Sequence, residues 1–156
     1  HCDFYGVPPM FVFSIARQES LFNTGAVSAS YAIGLLQILP TTAQLLANRE
    51  DYGKINPEVL KKPLTNVRFG VRFLSDLLIK FNGSIPLAAA SYNAGPGRIM
   101  KWMEKSPDME IDEFIEDIPI FQTRNYVKKV MSNYAVYTYI FEDRVYDGLE
   151  FKLPVE

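Results

Sequence analysis

The chain has 156 residues, 48% of them hydrophobic and 22% charged, with a net charge of −2. It is long enough for one domain with a real core, carries no basic field for nucleic acid, and has no apolar run as long as a membrane span. Its one Cys and one His are Cys2 and His1, which excludes an intramolecular disulfide, a His/Cys zinc cluster and a well-placed His-activated nucleophile.

In chain order, Pro8-Pro9 suits the first turn of a helix, where a missing N–H costs nothing. The apolar run Met10 to Ala16 then predicts a helix over 8–20, with Glu19 near its end. Asn23-Thr24-Gly25 is a turn cluster. Residues 24–39 are rich in small residues yet not very polar, which predicts a loop packed on the body, with a bend or helical turn at Gly34-Leu35-Leu36-Gln37. Pro40 opens a second helix to about Asn48. Residues 49–65 are charged and broken by Gly53, Pro57 and Pro63, and read as loop with a short turn near 57–61.

Asn66 is expected to cap the next helix, 66–81. There Val67, Gly70/Val71, Leu74, Leu77/Leu78 and Phe81 form an apolar stripe, while Arg68, Arg72, Ser75, Asp76 and Lys80 take other faces. Asn82-Gly83 ends it. Pro86 opens a small-residue helix whose three alanines allow another helix to come close, and Asn93 to Gly97 breaks it. A short helix covers 98–103. Residues 104–118 are acidic and loop-like, with a turn at 111–115. The last long helix begins near Thr123, with Val127, Val130/Met131, Tyr134, Tyr137/Thr138 and Phe141 as its apolar stripe and Arg124, Lys128 and Lys129 in water. The tail carries a turn at Asp147-Gly148. The fold class is therefore all-α: a single domain, 1–156, of about six to eight helices. Its long loops, 21–39 and 104–121, are of the kind that usually carry function.

Elimination of His, Cys and metal leaves carboxylates, hydroxyls and backbone groups for any chemistry. A glutamate such as Glu19 ordinarily sits on a helix surface. Here it follows a strongly apolar helix, and burial would raise its pKa and keep it protonated near neutral pH. A general acid for glycosidic cleavage needs that property. Ser28, Gln37, Tyr92 and Asn93 stand among small residues and need partners; capping and loop hydrogen bonds are the plain reading for Ser28 and Asn93, and holding a sugar is the functional one. Gly95-Pro96-Gly97-Arg98 lacks the spacing and the Lys-Ser/Thr of a phosphate loop.

Glu19-Ser20, Gly34-Leu35-Leu36-Gln37, Ser91-Tyr92-Asn93-Ala94-Gly95-Pro96-Gly97 and the segment Phe114 to Pro119 with Thr123 to Val127 resemble, in order and spacing, the signature blocks of the soluble lytic transglycosylase family. The resemblance covers roughly residues 8 to 141. It implies a lysozyme-like (goose-type) fold with a substrate groove and Glu19 as the single catalytic acid/base. It also implies that Ser28, Gln37, Tyr92, Asn93, Glu116 and, less directly, Tyr126 bind substrate. Leu36, Thr24 and Ser91 stand where Met, Pro and Ala are common.

The activity implied is non-hydrolytic cleavage of the β-1,4 bond between N-acetylmuramic acid and N-acetylglucosamine, leaving 1,6-anhydromuramic ends. Its rivals are a goose-type hydrolase, with Glu116 or a nearby acid activating water, and a non-catalytic peptidoglycan-binding module. Peptidoglycan strands are the expected partner, with other cell-wall enzymes as further candidates. The expected state is a monomer in the periplasm, without metal or organic cofactor. A chain that does not begin with Met and shows no signal peptide is expected to be the C-terminal part of a longer protein.

Overall fold

Helix boundaries follow the local chemistry of prolines, small polar caps and left-handed residues in the computed structural model, which describes residues 1–50 and 52–143. Eight α-helices and one 3-10 turn are present among these residues. The chain divides into two compact units, the first spanning His1–Ser75 and the second starting at Asp76.

In the first unit, α1 (Cys2–Tyr5) is a single turn closed by Gly6 at φ 65°. α2 (Pro9–Ser20) starts on proline and buries Phe11, Val12, Ser14, Ile15 and Ala16. The loop after it is irregular but held by isolated antiparallel bridges, Val27 to Ile33 and Ile33 to Ile38. α3 (Pro40–Arg49) again starts on proline. In the 3-10 turn, Pro57–Lys61, the Asn56 side chain accepts from the Glu58 N–H. α4 (Pro63–Lys80) begins here and runs past Ser75. Gly70 lies where α4 meets the loop, and a Cβ there would collide with the Leu36 side chain. The missing side chain lets fully buried Leu36 lie directly on the helix backbone.

In the second unit, α4 ends at Lys80 and is followed by a turn with left-handed Asn82 (φ 50°) and Gly83 (φ 83°), where the Gly83 N–H donates to the Leu78 carbonyl at 2.8 Å. Ser84 caps α5 (Ile85–Ala94), whose residues Ile85 to Ser91 are all buried. A helix apolar on every side must be surrounded, and α5 packs against both α6 (Pro96–Met103) and α8 (Phe121–Glu142). The alanines at 88–90 are fully buried, as close helix approach requires. α7 (Ile111–Asp117) buries Ile111 and Phe114 and packs against α8.

Several expectations are corrected. The first turn, α1, was not foreseen. The acidic stretch 111–117 is helical, because Ile111 and Phe114, three apart, supply a buried face. Asn66 is not a cap: proline lets the helix begin at Pro63, and Asn66 is a fully buried interior residue. Ser75 is buried, with Oγ donating to the Tyr5 carbonyl at 2.9 Å. Phe141 is 67% exposed and so leaves the α8 stripe. Arg124 is half-buried, because its Nη1 donates to the Glu116 carbonyl at 2.7 Å. The turn expected at Asp147-Gly148 lies outside the described residues.

Candidate active site

Glu19 is the penultimate residue of α2 and is half-buried, so the side chain is less enclosed than the apolar run suggested. The next two residues, Leu21 (φ 50°) and Phe22 (φ 63°), both take the left-handed conformation without being glycine. Each costs about 1–2 kcal/mol, and backbone strain of this kind concentrates at functional sites. The Phe22 ring stays partly exposed, with its centroid 6.4 Å from that of Phe13.

Ser20, beside Glu19, ties the helix end to the next motif. Its Oγ donates to the Leu35 carbonyl at 2.8 Å and lies 3.1 Å from the Ala16 carbonyl. Leu35 belongs to the four-residue turn Gly34–Gln37, closed by paired bonds between Ile33 and Ile38, each 3.0 Å. Gly34 has φ 79°, and a Cβ there would strike Asn66 and the Leu60 carbonyl. Asn66 supports the turn from behind. Its Oδ1 accepts from the Leu36 N–H at 2.8 Å, and its Nδ2 donates to the carbonyls of Ile33 at 2.7 Å and Leu60 at 2.8 Å.

Gln37 ends the turn at φ 47°. Its Nε2 donates to the carbonyls of Gly34 (2.9 Å) and Ala26 (3.1 Å). With both donors committed, the side chain can offer only its carbonyl oxygen, an acceptor. Ser28 is half-buried; its Oγ accepts from the Ala32 N–H at 3.0 Å and lies 3.0 Å from the Ser30 Oγ. The Ser20–Leu35 bond thus brings the end of the Glu19 helix to the turn that carries Gln37, and sequence reasoning missed both Ser20 and Asn66. Ser20 was legible only as the neighbour of Glu19.

The second unit holds the remaining candidates. Tyr92 is half-buried near the end of α5. Asn93 is exposed, and its Oδ1 accepts from the Thr123 hydroxyl at 2.9 Å, fastening the end of α5 to the start of α8. Tyr126, one turn further, is only 6% exposed. Glu116 is exposed and forms a 2.6 Å ion pair with Lys128. Among the described residues no cluster of His, Cys, Asp and Glu could hold a metal ion, and no helix is long and apolar enough to cross a membrane.

Residues 3–115 match the family described as Transglycosylase SLT domain. The chain is 39% identical over 135 residues to a putative soluble lytic murein transglycosylase of Haemophilus influenzae, covering 86% of this chain and 23% of that protein. It is 36% identical over 140 residues to the soluble lytic murein transglycosylase of Escherichia coli K12, covering 88% and 22%. Among solved structures, an inactive glutamate-to-glutamine variant of the lytic transglycosylase Slt from Pseudomonas aeruginosa superposes with a TM-score of 0.90 at 32% identity, over 99% of this chain and 26% of that one. A 70-kDa soluble lytic transglycosylase in complex with bulgecin A gives 0.88 at 33%, over 96% and 25%. The chain therefore spans about a quarter of the length of these relatives.

Proposed function

The chain belongs to the transglycosylase SLT domain family and has its all-α, lysozyme-like fold, and from this premise we propose that it is the catalytic domain of a peptidoglycan lytic transglycosylase. The observation that carries the reading is the ordered unit built on Glu19: the acid at a strained helix end, with Ser20 bound to the Leu35 carbonyl of the glycine-led turn.

Glu19 protonates the glycosidic oxygen between N-acetylmuramic acid and N-acetylglucosamine as the C–O bond breaks. The muramic N-acetyl group stabilises the developing cation. Glu19, now a carboxylate, takes the proton of the same sugar's 6-hydroxyl, whose oxygen closes on the anomeric carbon. The acid is restored, no water is consumed, and a 1,6-anhydro end remains. A hydroxyl on the reacting sugar can reach an effective molarity of about 10⁵ M or more, so no second carboxylate is required. Gln37 accepts a hydrogen bond from a sugar N–H or O–H. Ser28, Tyr92, Asn93, Glu116 and Tyr126 contribute further substrate contacts. The setting is the periplasm.

Mass spectrometry of fragments released from purified sacculi tests this. Anhydro-ended fragments are expected. Fragments all heavier by one water would assign hydrolysis instead, and no release at all would remove the catalytic assignment.

A further inference from the structure

A polar residue heads the buried stripe of α8. Thr123, Tyr126, Val127, Val130 and Tyr134 recur along that helix at helical spacing, and all are buried. Thr123, the first of them, is 2% exposed. It stands in the first turn of α8, the helix that packs on α5. A hydroxyl so placed is out of reach of water and must find its partner in the protein. That partner is Asn93, the penultimate residue of α5 and 30 positions earlier, whose Oδ1 accepts from the Thr123 Oγ1 at 2.9 Å.

The two ends of this bond differ: Thr123 is buried, whereas Asn93 is exposed. The direction of the bond follows from the needs of the threonine. A hydroxyl has one proton to place. If it accepted from the Asn93 Nδ2 instead, that proton would lack an acceptor, since the Thr123 side chain makes no other hydrogen bond among the described residues. The Asn93 Oδ1 is therefore turned to the protein and Nδ2 away from it. Among the described residues Nδ2 has no partner, so Asn93 presents two N–H donors. Gln37 is the converse case, with its donors spent on the carbonyls of Gly34 and Ala26 and only its acceptor left.

We propose that Thr123 is a positioning residue for substrate: its buried hydroxyl fixes the flip and direction of the Asn93 amide, so that Asn93 donates to an acceptor oxygen of the glycan strand. An asparagine amide in water turns broadly about χ2 and offers either its carbonyl or its NH2. The anchored amide offers the NH2 alone, and the ordering is done before substrate arrives, which lowers the cost of binding. A glycan group that itself donates at this point is rejected, because two facing donors leave each other unpaired. The inference rests on the reading of Asn93 as a substrate contact, and it is the same whether the sugar's own hydroxyl or water completes the cleavage.

The test uses the chain carrying Glu19→Gln, with soluble, uncross-linked peptidoglycan strands as the probe and calorimetry as the readout. Binding about fivefold weaker is expected in Thr123→Val and in Asn93→Ala, with no further loss when the two are combined. Thr123→Ser, which keeps the hydroxyl, should restore the affinity. In NMR relaxation of the same chains without strands, the order parameter of the Asn93 Nδ2 group should fall in Thr123→Val and recover in Thr123→Ser. Thr123→Ala is a second truncation of the same hydroxyl should Thr123→Val fail to fold. Strands that do not bind, affinity unchanged in the Thr123 truncations or in Asn93→Ala, additive losses in the double variant, or an Asn93 order parameter indifferent to the hydroxyl would each overturn the proposal. Binding that follows the expected pattern in a chain whose parent releases nothing from sacculi would leave this inference standing and remove the catalytic reading alone.

Discussion

The Oδ1 of Asn66 accepts the backbone N–H of Leu36 at 2.8 Å, across 30 residues of chain. This one amide also donates to two carbonyls, those of Ile33 and Leu60, so it does for the turn Gly34–Gln37 what a neighbouring strand would do. Asn66→Ala removes a hydrogen bond from the buried Leu36 N–H and from the Leu60 carbonyl, while the Ile33 carbonyl keeps the Ile38 N–H. Each buried group left unsatisfied costs about 1–3 kcal/mol, and a loss of about 2 kcal/mol or more is expected in urea unfolding. A loss below 1 kcal/mol would show that the turn holds itself.

Glu19→Gln should keep the fold and remove the reaction. The amide has nearly the shape of the acid but no proton to give. Loss of a positioned general acid lowers the rate by about 10²–10⁴-fold. Fragment release from sacculi should fall accordingly, while sedimentation with sacculi and far-UV circular dichroism stay as in the parent chain.

Gln37→Glu tests the committed donors. The new carboxylate oxygen would face the Gly34 and Ala26 carbonyls, now 2.9 and 3.1 Å from Nε2. Two hydrogen bonds become two repulsions, and a destabilisation of about 2 kcal/mol is expected, with reduced cleavage. Unchanged thermal stability would mean that the amide does not hold the turn.

Ser91 is fully buried on α5, and its Oγ has no hydrogen-bond partner among the described residues; Thr138 on α8 is in the same position. An unsatisfied buried hydroxyl costs about 1 kcal/mol or more. Ser91→Ala and Thr138→Val should each raise the urea midpoint, by about 1 kcal/mol in stability.

Glu50 gives the acid limb of stability a defined contributor. Burial pushes its carboxyl up, but hydrogen bonds from Tyr5 and Arg68 and the charges of Arg68 and Arg72 outweigh that and hold it below the usual glutamate range. The unfolded chain therefore takes up this proton first as pH falls. The contribution is complete above the unfolded value, about 4.3, and is lost as pH drops through the lower folded value. Glu50→Gln should reduce stability at pH 7 and flatten its decline below about pH 4.5; an unaltered slope would remove Glu50 from this role.

Much of the helical frame was legible because it is written locally. Pro9 and Pro40 stand at helix starts, Gly83 and Gly95 at helix ends, and the 3.6 period of α4 is plain in the sequence; Pro96 falls in the break expected before a helix at 98, yet it is the first residue of α6. The motif blocks that carry the candidates Glu19 and Gln37 are likewise local runs of sequence. The contacts that shape the site were hidden because they join distant positions: Asn66 to Leu36, Ser20 to Leu35, Ser75 to Tyr5. Asn66 near an expected helix start looks like a cap, and only tertiary packing makes it a buried clamp. Phe141 continues the apolar period of α8 yet stays exposed, since period alone does not say how far the covering layer extends.

The enclosure of α5 has a consequence for how the chain is made. From Ile85 to Ser91 it has no face suited to water, and one of its two main partners, α8, starts only at Phe121. As the chain emerges from the ribosome, about thirty residues of synthesis separate the α5 segment from the helix that covers it. Throughout that interval its apolar surface is open to mispairing. The second unit therefore closes late and all together, and a chain interrupted between α6 and α8 is left with a helix that belongs in an interior but has none.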